Sequence, residues 1–388
     1  MNIKLKLAID YYVGGAIHIL LKPFVFTIGK ILRRDHSLKH IEEITIIKML
    51  GGGSLVIAYP SLLALKRKYP KLRLNLVTTI PIKHFAEILG LFDEIIVIRE
   101  DSGLHLVIDS LRAIARLWRA KALVDLEIHS RLSSVFTLLT CARNRIGIYT
   151  DVSFWRKSLY THLLFYNKYA PVYALYDQIV RLAGADPVDF ESAKNEFASK
   201  IQRDPKAIST PDKVDIGIAP GCSDLGKERM LTAGQWLQVL QKRCSVQKNG
   251  VFHFIGSHQD KALAGAIISQ LQALFPEIEC HNRCGGTSLR DAIKLINQLD
   301  VLYCIDSGLI HFARLLGVKT ISFWGPTDPS MRLRPDSHVQ AETHYAALSC
   351  SPCVHIVSEA PCYGNNICMN ASLQSENYTG ERNPLWLA

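Results

Sequence analysis

At 388 residues the chain is long for one core, and its 48% hydrophobic and 21% charged residues are those of a soluble globular protein, so two domains are expected. The formal net charge of +10 favours an anionic partner, either a phosphate-rich substrate or an anionic membrane face. Nucleic acid ranks third, because the sequence holds no RNP-like aromatic run, no finger and no basic zipper.

The positive charge begins at the N-terminal segment. Residues 1–40 carry Lys4, Lys6, Lys22, Lys30, Arg33, Arg34 and Lys39 against Asp10 and Asp35. Within them "YYVGGAIHILLKPFVFTIGKIL" (11–32) is apolar but interrupted by His18, Lys22, Pro23 and Lys30. A membrane span wants roughly 20 apolar residues with few charges. A signal peptide wants a small-residue cleavage site, and none is evident. A basic amphipathic segment lying on an anionic lipid surface fits better, and a helix packed on the protein itself fits equally well. The cysteines run from Cys141 to Cys368, and without a signal peptide a reduced cytosolic compartment is expected.

From residue 41 apolar runs alternate with amphipathic ones. Strands are predicted at 44–50 ("ITIIKML"), 72–78, 94–98 and 122–128, and helices at 61–70, 84–91 and 105–121. The polar stretch 200–213, with two prolines, reads as an interdomain linker. Beyond it strands are predicted at 214–220, 251–256, 301–306 and 319–325, and helices at 233–244, 261–275, 288–299 and 308–317. Such alternation implies parallel sheets covered on both faces. The expected domains are therefore a first α/β domain over 41–205 and a second over 206–388, with the ligand site beyond the carboxyl ends of the strands, in the cleft between them.

The first strand is followed by "GGGSLVIAYP" (51–60). Three glycines suggest a backbone turned tightly to approach a ligand. No Lys-Ser/Thr pair follows and the G-x-G-x-x-G spacing is absent, so this is neither a P-loop nor a dinucleotide fingerprint.

The densest chemistry lies in "CIDSGLIHFARLLGVKTISFWGPTDP" (304–329). A strand ends at Asp306, Ser307 and Gly308 open a helix, and His311 follows in its first turn. A helix N-terminus offers free N–H groups to an anion; Ser307 can cap it or donate to a phosphate, and His311 can reach the same oxygens. Capping plus a core histidine is the plainer alternative for each residue alone.

This block resembles the signature of glycosyltransferase family 9, the heptosyltransferase family. "IAPGCSDLGKERMLTAGQW" (218–236), "FIGSHQDKALAGAI" (254–267), "CGGTSLRDAIKLINQLDVLYCIDSG" (284–308) and "YPSLLALKRKYPKLRLNLVT" (59–78) are similar to other family segments in the same order. The resemblance covers about residues 40–370. It implies a GT-B fold of two Rossmann-like, doubly wound domains facing a central cleft. It further implies an inverting, metal-independent transferase with a nucleotide-sugar donor such as ADP-heptose and a lipopolysaccharide-core or other lipid-linked acceptor at the inner face of the cytoplasmic membrane. Such an enzyme must stabilise charge growing on a nucleoside diphosphate and deprotonate an acceptor hydroxyl. The resemblance assigns Asp306, Ser307, Gly308 and His311 to the diphosphate, Gly221 to a donor backbone contact, and Lys227 or Arg229 to a phosphate. Asp260 stands where an acidic group would hold the ribose; an ordinary acid at a helix N-terminus is the alternative.

By the same resemblance Gly53-Ser54 stands at the acceptor side where many members carry Gly-Asp, the aspartate being their presumed general base. A serine hydroxyl is no base near neutral pH unless another group activates it. In "LVDLEIHSRLSS" (123–134), Asp125, Glu127 and His129 alternate toward a strand end, which predicts one shared face and offers Glu127 as a replacement base. Arg131 nearby could meet an acceptor phosphate or carboxylate. Cys350, Cys353, Cys362 and Cys368 open with a zinc-like C-x2-C and could close a structural tetrahedral site; free thiols or a disulfide are the alternatives. Ser54 also motivates a second functional reading, a degenerate member that binds a nucleotide-sugar or glycolipid without turnover. A nucleotide-sugar epimerase on the same fold is a third.

Overall fold

A computed structural model of the chain describes residues 3–32, 34–38, 41–201, 213–222, 226–246, 249–336, 341–354, 356–357, 360, 362 and 365–378. The chain divides into two units, Met1–Val188 and Asp189–Ala388. The first runs through α1 (Ile3–Leu32), β1 (Glu43–Ile47), α2 (Gly52–Lys68), β2 (Arg73–Thr78), α3 (Ile80–Leu89), β3 (Glu94–Val97), α4 (Gly103–Arg116), β4 (Ala122–Asp125), α5 (Arg131–Leu139), β5 (Asn144–Tyr149), β6 (His162–Phe165) and α6 (Val172–Leu182). The second continues with α7 (Phe190–Lys200), β7 (Val214–Ala219), α8 (Ala233–Val246), β8 (Gly250–Phe254), α9 (Lys261–Leu274), β9 (Glu279–Asn282), α10 (Leu289–Ile296), β10 (Val301–Ile305), α11 (Gly308–Leu315), β11 (Lys319–Trp324), β12 (Ala341–Tyr345) and α12 (Ile367–Ser372).

Each unit is built on a parallel sheet, ordered β3-β2-β1-β4-β5-β6 in the first and β9-β8-β7-β10-β11-β12 in the second. Counted within each unit, both have the doubly wound order of a Rossmann-like domain, as expected. The short, apolar, fully covered strands explain the parallel pairing: β1, β4 and β10 are almost wholly buried. Ile47, Val77, Leu123 and Phe136 pack in the first core, and Ile218, Trp236, Phe254 and Phe323 in the second. Where the winding reverses, β1 lies beside β4 and β7 beside β10. These switch points open a crevice beyond the strand ends.

Two sequence expectations change. α2 begins at Gly52, nine residues before the predicted helix at 61–70, and runs through Pro60. Pro60 removes one intrahelical hydrogen bond, but the run Leu55–Leu65 is buried along its length, and that packing holds the helix. The glycines have separate tasks. Gly51 caps the helix at φ 76°, in the left-handed region; a Cβ on Gly52 would lie 2.6 Å from the Phe85 ring. The second change concerns the domain boundary. The expected break between 205 and 206, and most of the expected linker, fall in 202–212, outside the described residues. α7 already belongs to the second unit, its Phe197 stacked on Phe312 of α11 with ring centroids 5.8 Å apart.

Candidate functional site

In the second unit the Asp306–His311 turn lies at the switch point. β10 delivers Asp306, and α11 starts at Gly308 with Ser307 as its N-cap residue. Asp306 is buried and receives Arg229 Nη1 on Oδ2 at 3.1 Å. Burial alone would push this carboxyl up, yet Arg229 and Arg332 hold it below the usual carboxylate range. Ser307 does not cap α11 through its side chain, and its Oγ is buried with no hydrogen-bond partner among the described residues. A buried hydroxyl without a partner is uncommon, because its desolvation is uncompensated. His311 is buried one turn on, and desolvation, aided by Arg314, Arg332 and Arg229, drives its pKa down to about 4. At neutral pH its imidazole is therefore uncharged, with one N–H to donate. The pocket so built has free helix N–H groups, an orphaned hydroxyl and three neighbouring arginines, an arrangement suited to an anion.

The other expected donor residues divide. Gly221 follows β7, and a Cβ there would lie 1.8 Å from Asp260 Oδ1, so the glycine lets the two segments approach. Asp260 Oδ2 accepts from Ser257 N at 2.7 Å and Ser257 Oγ at 2.8 Å, closing the turn before α9. Oδ1 has no such bond among the described contacts. Lys227 and Arg229 occupy one 3-10 turn; Arg229 turns in to Asp306 while Lys227 is exposed. Arg332, beside Asp306 and His311, was not singled out in the sequence; it follows the "GPTDP" turn, which was.

In the first unit the corresponding switch point joins the ends of β1 and β4. β4 stops at Asp125, so Glu127 and His129 lie beyond it and the predicted single face does not form. Asp125 turns inward to a fully buried ion pair with Arg156 at 3.3 Å and also accepts from Ser133 Oγ, Tyr160 Oη and Glu127 N. His129 is exposed. Glu127 bends back to the turn after β1. Its Oε1 accepts from Lys48 Nζ at 3.1 Å, Met49 N at 2.7 Å and Leu50 N at 3.0 Å. Oε2 makes no hydrogen bond among the described residues. Glu127 is thus brought to the turn that carries Gly53 and Ser54, which lie in the first turn of α2. Lys48 is buried; burial would lower its pKa, but the charge and hydrogen bond of Glu127, with Tyr176 and Asp125, together outweigh that and raise it above the ordinary lysine value. The sequence offered a signal for Lys48, a single charge inside an otherwise apolar strand. It offered none for Arg156, whose guanidinium donates to the Glu127 and Ser130 carbonyls.

Arg131, expected to meet an acceptor anion, instead carries α1. Its guanidinium lies 4.2 Å from the Tyr11 ring centroid and donates to the Tyr11 carbonyl at 3.0 Å. The four cysteines of residues 350–368 all lie in the second unit. Among the described residues no three His, Cys, Asp or Glu side chains gather to hold a metal. Cys368 instead packs with Met369 against Gly325 and the second core, while Cys350 is exposed.

Comparison with known proteins bears on the family and the fold. The model of "Glycosyltransferase family 9 (heptosyltransferase)" matches residues 130–364. A lipooligosaccharide heptosyltransferase 2 of Campylobacter jejuni is 25% identical over 165 residues, 42% of this chain and 49% of that protein. The chain thus matches about half the length of that relative. Among solved structures, E. coli ADP-heptose lps heptosyltransferase II covers 86% of this chain and 98% of its own, with TM-score 0.58 and 18% identity. E. coli heptosyltransferase WaaC with ADP covers 78% and 93%, with TM-score 0.59 and 14% identity. These likenesses carry the fold, α/β of the GT-B class.

Proposed function

The chain belongs to glycosyltransferase family 9, and from that premise we propose that it is an inverting glycosyltransferase. Its donor in this reading is a nucleotide-sugar, ADP-heptose first, and its acceptor a lipopolysaccharide core or another lipid-linked glycan. The observation that carries the reading is the orphaned Ser307 hydroxyl at the head of α11, beside neutral His311 and three arginines. A donor diphosphate would satisfy that hydroxyl and the free N–H groups of α11. As the glycosidic bond to phosphate breaks, the same groups would meet the charge that develops on the leaving diphosphate. That the similar E. coli structures hold ADP and an ADP-heptose analogue supports the choice of donor. The proton of the acceptor hydroxyl would pass to Glu127 Oε2, the carboxylate oxygen that the turn after β1 leaves unused. Ser54 has no part in that transfer. No metal enters the reaction in this reading.

The same proposal puts the protein on the cytoplasmic membrane surface, where a lipid-linked acceptor resides. α1 supports it. Residues Leu5–Gly29 are long and apolar enough to cross a membrane, with mean hydropathy 1.4, and Tyr12, Ile19, Leu20, Phe24 and Ile31 are exposed. Lys22 stands among them, and the chain's charge of +10 complements anionic lipid.

Thermal shifts with ADP-, UDP- and GDP-sugars test the donor, since a bound ligand raises the unfolding midpoint by mass action. A rise with ADP-heptose alone is expected; no rise with any of them sinks the donor reading. Co-sedimentation with phosphatidylglycerol vesicles against phosphatidylcholine vesicles tests the surface, and equal partitioning removes the electrostatic part of the argument.

One observation favours a second reading. Ser54 supplies no carboxylate, and Glu127 Oε1 is committed to three donors of the turn. A member that binds donor or glycolipid without turnover would look the same. Single-turnover assays with labelled donor separate the two, because transfer or donor hydrolysis excludes the binding-only protein.

A further inference from the structure

The N-terminal helix reaches the segment that carries Glu127. Asp10 of α1 accepts from Ser130 Oγ at 2.6 Å and Leu132 N at 2.9 Å through Oδ1, and from Arg131 N at 2.9 Å through Oδ2. Its carboxylate therefore occupies the N-terminal N–H groups of α5, a favoured place for negative charge. Two glycines make the approach possible. A Cβ on Gly14 would lie 2.7 Å from Arg131 Cβ, and one on Gly15 would lie 2.4 Å from Arg131 Nη1. One turn further, His18 lies against Trp155 with ring centroids 4.7 Å apart and the rings tilted by 31°. Trp155 neighbours Arg156, whose guanidinium holds the Glu127 and Ser130 carbonyls. α1 thus grips residues 127–132 from two sides, directly through Asp10 and indirectly through Trp155 and Arg156.

We infer that Asp10 is a positioning residue for the reaction, holding the 127–130 segment so that Glu127 stands in place at the turn after β1. The inference rests on the reading of Glu127 as general base. Its physical content is that the β1–β4 ladder ends with Leu126 N donating to the Ile47 carbonyl at 3.0 Å, so the geometry of residues 127–130 depends on side-chain contacts. Glu127 N is tied to Asp125, the Glu127 and Ser130 carbonyls to Arg156, and the Ser130 carbonyl also to the Ser133 and Ser134 hydroxyls, while Asp10 holds the Ser130 hydroxyl and the first two amides of α5. Removing Asp10 loosens that end, and a displacement of about 1 Å at a reacting group can cost up to a hundredfold in rate.

The test is steady-state and single-turnover kinetics on the full chain with ADP-heptose and a lipid-linked acceptor. The variants are Asp10→Ala, Asp10→Asn, Glu127→Gln and the double Asp10→Ala/Glu127→Gln, each with its thermal midpoint measured. Asp10→Ala is expected to lower kcat about tenfold with donor KM within about twofold, because the donor groups belong to the other unit. Asp10→Asn, which keeps one acceptor oxygen, should recover part of the loss. In the double variant the Asp10 change should add nothing to the Glu127 change, since both act through one carboxylate. A merely structural Asp10 would lower the midpoint and leave kcat of the folded protein unchanged. Wild-type kcat in folded Asp10→Ala, or a full additional loss in the double variant, overturns the inference while an inactive Glu127→Gln leaves the base reading standing. Should Asp10→Ala fail to fold, Asp10→Asn decides alone, and wild-type kcat in it overturns the inference. Wild-type kcat in Glu127→Gln overturns the base reading and the inference with it.

Discussion

Lys48 and Glu127 form an ion pair at 3.1 Å between the ends of two adjacent parallel strands, β1 and β4. Ile47 and Asp125 are register partners and Leu126 N makes the last backbone bond, to the Ile47 carbonyl, so the pair bridges the two chains just past the end of the ladder. The second unit repeats the arrangement, with Arg229 after β7 and Asp306 after β10 at 3.1 Å. In both units the cation follows the first strand and the carboxylate follows the fourth.

Replacing Lys48 by Met should expose the worth of this pair. The Glu127 carboxylate would stay buried with two backbone donors only, and stability should fall by about 3 kcal/mol, as when one partner of a buried pair is removed. Urea unfolding of both proteins measures it. Because the folded-state pKa of Lys48 is raised, its contribution is complete below the unfolded lysine value and is lost as pH climbs through the higher folded one. The difference between the two proteins should therefore persist across neutral pH and shrink only in strong alkali.

Two buried histidines set the acid limit of stability. Burial, with Arg131 and Arg156 nearby, lowers His18 to about 4, and burial with surrounding arginines does the same for His311. A depressed value favours the neutral form in the folded state, so stability is full above the unfolded value near 6.5 and is lost as pH falls toward 4. The unfolding midpoint should drop steeply between these limits. His311→Asn and His18→Asn should each flatten that drop, and an unchanged slope in both would contradict their burial as neutral rings.

Ser307→Ala separates binding from folding. The hydroxyl has no partner among the described residues, so its removal should leave the unliganded midpoint unchanged or slightly raise it. Donor affinity should fall about tenfold, the value of one hydrogen bond to a charged group. Calorimetric titration with ADP-heptose beside thermal unfolding reads both. A variant that loses stability but not affinity would mean the hydroxyl serves the fold.

Gly52→Ala tests the turn after β1. Its Cβ would enter the Phe85 ring at 2.6 Å, and overpacking of this kind costs about 1–3 kcal/mol. Denaturant midpoints measure the loss, and Phe85→Leu should relieve part of it when combined.

Much of this architecture was legible from periodicity. β1 to β4, β7, β8, β10 and β11 stand close to the runs that announced them, because a strand buried on both faces must be apolar along its length. The start of α2 was not legible: Gly51 to Gly53 and Pro60 are local breakers, and only burial of the segment between them overrides that signal. The Asp306–His311 turn could be located from "DSGLIH" because its parts are contiguous in sequence, whereas Arg332 joins it from a separate turn. The first-unit cluster could not be fully assembled, since Lys48, Glu127, Arg156 and Asp10 converge from four distant segments. Glu127 was found through its neighbours in a motif, and its attachment to the backbone of Met49 and Leu50 is a fact of tertiary structure alone.

The seating of α1 has a practical consequence for preparing the protein. Its exposed apolar side invites removal, and a version starting near residue 41 would be the natural choice for easier expression. Such trimming would leave the amides of Arg131 and Leu132 and the face of Trp155 open to water. A sample improved in handling by that cut would differ from the native protein at the segment next to Glu127, and its inactivity would say little about the enzyme.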